Sequence, residues 1–218
     1  MGKISVSIRS ASSVAIVATG VLAGCSSSVF VEASFPTPLI EPLPVRMGII
    51  FSPELHDFIH AEQIPQQSTW TIDLGDANIA MLSPLFDTMF QETQSVADFP
   101  VDQVSLNTLD GVLRPELEKF EFDVPIGERD EFVEVWMQYR LTLYQPNGDL
   151  VVEWPVTGYG KAELSGKREE AVRLAAIVAM REAGASISTK FAQQPQINYW
   201  LEERQNAAAL AVDSRVVN

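Results

Sequence analysis

The clearest pattern in the chain is a two-residue alternation over Phe132 to Tyr144. Val133, Val135, Met137, Tyr139, Leu141 and Leu143 fall on one face, and Glu134, Gln138, Arg140 and Thr142 on the other, with Trp136 among them. That period predicts a strand with one buried side. Pro146-Asn147-Gly148-Asp149 follows, and Asn-Gly between two apolar alternations is the strongest short-range hairpin signal. Leu150, Val152, Trp154 and Val156 then predict the returning strand over Leu150 to Tyr159, with Pro155 marking an edge or a bulge. Shorter strands are predicted over Val45 to Phe51, Ser68 to Leu74 and Leu117 to Val124.

Two stretches carry the helical period instead. Leu82, Leu85, Phe86, Met89 and Phe90 are spaced i, i+3, i+4, i+7, i+8. Pro84 leaves two ways to start that helix, either at Ser83 as N-cap or near Asp76 with Pro84 inside. Ile79 joins the same stripe and favours the longer one. The second helix spans residues 166 to 191, with Ala171, Leu174, Ala175, Val178 and Ala185 on one side and charged residues on the rest. Its alanines permit a close approach to a sheet. Pro195 ends this region, and Tyr199, Trp200 and Leu201 form a short apolar knot beyond it. This order predicts an α+β fold: a mostly antiparallel sheet with a long β-hairpin and two helices packed on one face.

The N-terminus reads differently. Lys3 and Arg9 precede an uncharged run from Ser10 to Gly24, the layout of a secretory signal peptide. Leu22-Ala23-Gly24-Cys25 ends it, and Cys25 is the chain's single cysteine. These four residues resemble the lipobox of bacterial lipoproteins at every position. The resemblance implies a diacylglyceryl group on the Cys25 thiol, cleavage before it, and an N-acyl chain on the new terminus. It further implies that Ser26, standing where a retention signal would place Asp, sends the protein to the outer membrane. Three acyl chains suffice for stable anchoring, since one alone binds marginally. A transmembrane helix is the rival reading, but Ser26, Ser27 and Ser28 interrupt the apolar run.

Four units are expected: a signal peptide over 1–24; a lipidated cysteine and Pro/Ser-rich tether over 25–44; a single α+β domain over 45–204; and a flexible tail over 205–218. Pro36, Pro38, Pro42 and Pro44 favour extended polyproline II in the tether. About 19 such residues at ~3.1 Å each would lift the domain roughly 60 Å from the bilayer.

Cleavage would leave 194 of the 218 residues, enough for one domain with its own core. The precursor's formal charge is −14, and losing Lys3 and Arg9 makes it −16. So acidic a body is not drawn to nucleic acid or anionic headgroups by long-range attraction. With Cys25 acylated there is no thiol for a disulfide, a nucleophile or a metal.

Candidate chemistry is sparse. His56 and His60 are four apart, and on one helix they would share a face that holds zinc. They are the only histidines, so no third ligand of that type follows. No Gly-x-Ser-x-Gly elbow or phosphate-binding loop occurs, and an enzyme is not expected. No cofactor is expected beyond the acyl chains on Cys25. Trp136 and Tyr144 on the polar face of the best strand, with Trp154 on its neighbour, are candidates for an interface.

The hairpin around Asn147-Gly148, the Gly-rich strand end at Gly158 and the Ala-rich helix, over Glu131 to Phe191, resemble small Gram-negative envelope lipoproteins of the YajG-like kind and the lipoprotein partners of lipid-transport machines. This resemblance implies a non-catalytic accessory or binding subunit in envelope assembly or transport. Such a subunit would face the periplasm, hold the membrane through its lipid, and contact another envelope protein. The alternative is a periplasmic carrier of an apolar ligand such as a lipid, with a pocket lined by Phe120, Phe122 and Met137. A metal-dependent hydrolase using His56 and His60 is the remote alternative.

Overall fold

The computed structural model describes residues 26–65, 68–125 and 132–216. The expected signal peptide, Leu22, Ala23, Gly24 and Cys25 lie outside them. The chain runs through β1 (Ser26–Phe30), β2 (Leu43–Ile49), α1 (Pro53–His56), β3 (Ile59–Gln63) and β4 (Thr69–Asp73). It continues through α2 (Gly75–Met89), β5 (Phe90–Ser95), α3 (Gln103–Thr108) and β6 (Gly111–Asp123). Then come β7 (Phe132–Tyr144), β8 (Leu150–Glu163), α4 (Arg168–Lys190) and α5 (Pro195–Val216).

The predicted hairpin is the centre of the α+β fold. β7 pairs antiparallel with both β6 and β8 over almost its full length. Its alternation is realised: Val133, Val135, Met137, Tyr139, Leu141 and Leu143 are all buried. Gly148 takes φ +94°, the left-handed region that the tight turn requires. The five-stranded sheet has the order β5-β2-β6-β7-β8, with β2 parallel to both β5 and β6. A second sheet, in the order β1-β4-β3, stands beside it. Trp70 of that sheet meets Phe122 of β6 at 5.6 Å.

α4 lies across β7 and β8, with α2 against it on the same face. Two strand glycines permit this contact. A Cβ on Gly158 would lie 2.1 Å from the Ala179 carbonyl oxygen, and one on Gly160 would lie 1.9 Å from that of Ala175. Ala175, Ala176, Ala179 and Ala183 are fully buried at this seam. α2 includes Pro84, as the longer reading of that helix predicts. The buried Tyr139 hydroxyl donates to Asn78 Oδ1 at 2.7 Å, and Asn78 Nδ2 donates to the Leu55 carbonyl at 3.4 Å. One polar chain thus ties β7 to α2 and α1. Burial pushes the Tyr139 pKa up, so the hydroxyl remains a donor.

The opposite face of the five-stranded sheet carries charge. Arg140 reaches Glu118, Glu116 and Glu153 across three strands.

Two expectations are corrected. Residues 26–44 are not an extended tether: β1 pairs in parallel with β4, and Val29 and Val31 are in the core. Backbone pairing supplies the order that the serines and prolines do not reveal. The expected tail from 205 continues as helix α5 to Val216. Trp200 at its start is buried, and its ring sits where a Cβ on Gly111 would come within 2.9 Å.

Candidate functional site

Residues 31–42 run along the outside of the helical layer without regular structure. Val31 follows the end of β1, and its N–H donates to the Asp73 carbonyl at 3.0 Å. Arg173 Nη1 donates to the Glu32 carbonyl at 3.3 Å, fixing the segment to α4. Phe35 and Ile40 then turn inward against the core, while Leu39 between them is fully exposed. Pro36 and Pro38 restrict the intervening backbone.

Between this strap and the two helices lies a cleft of about 330 Å³. α2 contributes Met81, Pro84 and Leu85, and α4 contributes Arg181, Gly184, Ala185, Ser188 and Thr189. The walls are mostly hydrocarbon. The Ser188 and Thr189 hydroxyls donate back to the Ala185 carbonyl at 3.0 and 2.7 Å, so their protons are already engaged. Arg181 is the single charged residue lining the cleft, and it makes no hydrogen bond or ion pair with any described residue. Gly184 is buried at the floor. A Cβ there would meet Met81 Sδ at 3.5 Å and Leu85 Cδ2 at 3.8 Å, both ordinary contacts. Apolar volume with one free cation at its rim suits an amphiphile better than a reaction centre.

Sequence reasoning missed this cleft because its strap read as tether. Phe35, Leu39 and Ile40 among the prolines were the one available signal.

Of the residues singled out from sequence, His60, Phe120 and Phe122 meet at 5.1–6.1 Å, and the rest lie apart from one another's expected sites. Phe120 and Met137 are buried in the core, Phe122 packs on Trp70 and His60, and none of the three lines the cleft beneath the strap. Trp154 is only 7% exposed and packs on Phe191 at 5.7 Å under the helical layer. It belongs to the core and not to an interface. Tyr144 packs edge-on against Phe99 at 5.1 Å in a small satellite cluster. Trp136 alone is open, 42% exposed, beside Tyr159 at 5.2 Å.

His56 and His60 share no helix face. α1 ends at His56, and His60 lies in β3 against Phe120 and Phe122. Each contacts a carboxylate of its own, Asp57 at 2.8 Å and Glu62 at 3.1 Å. Among the described residues no three His, Cys, Asp or Glu side chains are placed to hold a metal. The helical zinc pair is therefore corrected: the chain changes from helix to strand between the two rings.

The hydrogen bond that the His56 ring donates to Asp57, then the charge of Asp57 and that of Asp76, raises the His56 pKa above its usual value. Folding thus favours the protonated ring. That contribution is complete below the ordinary histidine pKa and is lost as pH rises through the raised one. An NMR titration is expected to show the His56 midpoint falling in Asp57→Asn; an unchanged midpoint contradicts this assignment.

No protein-family model and no curated protein sequence matches the chain. Solved structures do. A Helicobacter pylori homolog of neuraminyllactose-binding hemagglutinin is similar, with a TM-score of 0.54 at 13% identity, covering 81% of this chain and 100% of that one. The two share a fold. A Xanthomonas campestris protein of the DUF330 family aligns with a TM-score of 0.47 at 11% identity, over 85% of this chain and 98% of its own. A minor lipoprotein of Acinetobacter baumannii aligns at 0.36 and 7% identity, over 68% and 92%. At these identities no functional residue transfers, and the two lower scores carry no weight beyond themselves.

Proposed function

We propose that this chain is a lipid-anchored, non-catalytic accessory or binding subunit of a Gram-negative envelope, held at the outer membrane by acyl chains on Cys25 and facing the periplasm. The observation that carries this reading is Leu22-Ala23-Gly24-Cys25 closing an uncharged run behind Lys3 and Arg9. Among the described residues no helix is long and apolar enough to cross a membrane.

The structure also changes how the body would sit. β1 begins at Ser26, and Ser27 Oγ donates to Glu169 Oε1 at 2.8 Å at the start of α4. An acyl group one residue earlier would hold the three-stranded sheet and the α4 N-terminus against the bilayer, not 60 Å above it.

Cell fractionation with mass spectrometry tests the anchor. Wild type is expected in the membrane fraction with a peptide beginning at a triacylated Cys25, and Cys25→Ser in the soluble fraction. Membrane retention of the serine variant, or an unmodified thiol, overturns the proposal.

A further inference from the structure

We infer that the cleft beneath the 35–40 strap binds a single-chain anionic amphiphile, with its hydrocarbon chain along Met81 and Leu85 and its acidic head on Arg181. The inference is independent of the anchor and holds whether or not Cys25 is acylated.

Gly184 is the first support. Glycine inside a helix costs about 1 kcal/mol relative to alanine. Where a close approach demands glycine, as at Gly158 and Gly160 in strand β8, the comparable cost in a strand has a structural reason. At Gly184 it has none, because a Cβ would sit at ordinary contact distances. What the missing side chain preserves is the floor of the cleft.

The second support is charge. In a chain of formal charge −14, Arg181 has no hydrogen-bond or ion-pair partner among the described residues and stands at the rim of an apolar cleft. Every other route for donating a hydrogen bond from the α4 wall is closed, since Ser188 and Thr189 spend their protons on Ala185. Arg181 is exposed, so a neutral ligand offers it at most one hydrogen bond in place of water, and a cationic one would be repelled. A carboxylate or a phosphate monoester matches it.

Size sets the number of chains. About 330 Å³ lies at the lower end of the ~300–1,000 Å³ of ligand sites, which admits one chain and not two. The rigid prolines of the strap keep the cleft formed before the ligand arrives. The protein's own lipid is the competing occupant. Ser27 is fastened at Glu169, whereas Gly184 is fifteen residues further along α4, roughly 22 Å at 1.5 Å per residue. A thioether-linked diacylglyceryl group also carries no anion for Arg181.

Calorimetric titration of the full chain carrying Cys25→Ser tests this, using decanoate, decyl phosphate and decan-1-ol below their micelle concentrations. Both acids are expected to bind at least tenfold more tightly than the alcohol. Arg181→Gln should bring the acids to the alcohol's affinity and leave the alcohol unchanged. Gly184→Leu should abolish binding of all three. Ala185→Trp, at an exposed position on the rim, repeats that test without touching the core. Tighter binding of decanoate would assign a free fatty acid, and tighter binding of decyl phosphate a lysophospholipid-like head. The proposal is overturned by no binding, by an alcohol as tight as the acids, or by full binding to Ala185→Trp. It is also overturned if acylated wild type binds nothing while Cys25→Ser binds, because the cleft is then filled by the chain's own lipid.

Discussion

Gly160→Val is expected to destabilise the fold by about 3 kcal/mol or more, near or past the edge of what a domain with ~5–15 kcal/mol in total can lose. A Cβ there would lie 1.9 Å from the Ala175 carbonyl oxygen and 2.5 Å from the Ala179 nitrogen. These atoms are helix backbone, so no rotamer change relieves the clash. α4 has to move off the sheet. That motion opens the seam where Ala175, Ala176, Ala179 and Ala183 are fully buried, and it forfeits contacts along two turns. Ordinary overpacking of a core costs ~1–3 kcal/mol, and an obstacle that cannot yield belongs at or beyond the top of that range. Urea denaturation should show a large fall in midpoint for Gly160→Val and a similar loss for Gly158→Val. Gly166→Ala, with nothing within 4 Å of its Cβ, should show almost none. A Gly160→Val midpoint close to wild type would mean that α4 does not rest on β8 at this distance.

These glycines also show where sequence and structure part. One-sided burial writes a period of two, so β7 and β8 were readable residue by residue, and Asn147-Gly148 announced their turn. The stripe through Leu82, Phe86 and Met89 gave α2, and the alanines gave α4 together with its close approach. β1 was hidden because its pairing with β4 uses backbone groups that any residue carries; of its two apolar residues, Val29 is buried and Phe30 is exposed. β5, with Phe90 followed by Gln, Glu, Thr, Gln and Ser, is an edge strand with a single buried side chain. Edges need no apolar face, so alternation cannot reveal them. The two histidines misled because a spacing of four is informative only on a helix, and α1 stops at the first of them. The cleft was illegible for a different reason. Its strap, α2 and α4 are brought together from positions up to about 150 residues apart, and no local pattern records that meeting.

The three aromatics expected at an interface separate cleanly, and the separation can be measured. Register places Trp154 opposite Leu141 on the helix-covered face and Trp136 opposite Tyr159 on the open one. Trp154 meets Phe191 at 5.7 Å, Phe191 meets Phe90 at 5.2 Å, and Phe90 stacks on Phe86 at 6.2 Å. This aromatic chain joins β8 to the end of α4 and to α2. Trp154→Ala would leave a cavity in its middle and is expected to cost ~3–5 kcal/mol. Trp136 is 42% exposed and has one cross-strand aromatic partner, so Trp136→Ala is expected to cost within about 1 kcal/mol. Thermal and urea unfolding of both variants decide the matter: equal losses would contradict the assignment of opposite faces. The same pair also separates stability from recognition. A partner protein seated on the open face would lose affinity in Trp136→Ala while the body stays folded. The loss in Trp154→Ala would follow the fraction unfolded, because that ring reaches a partner only through the fold it supports.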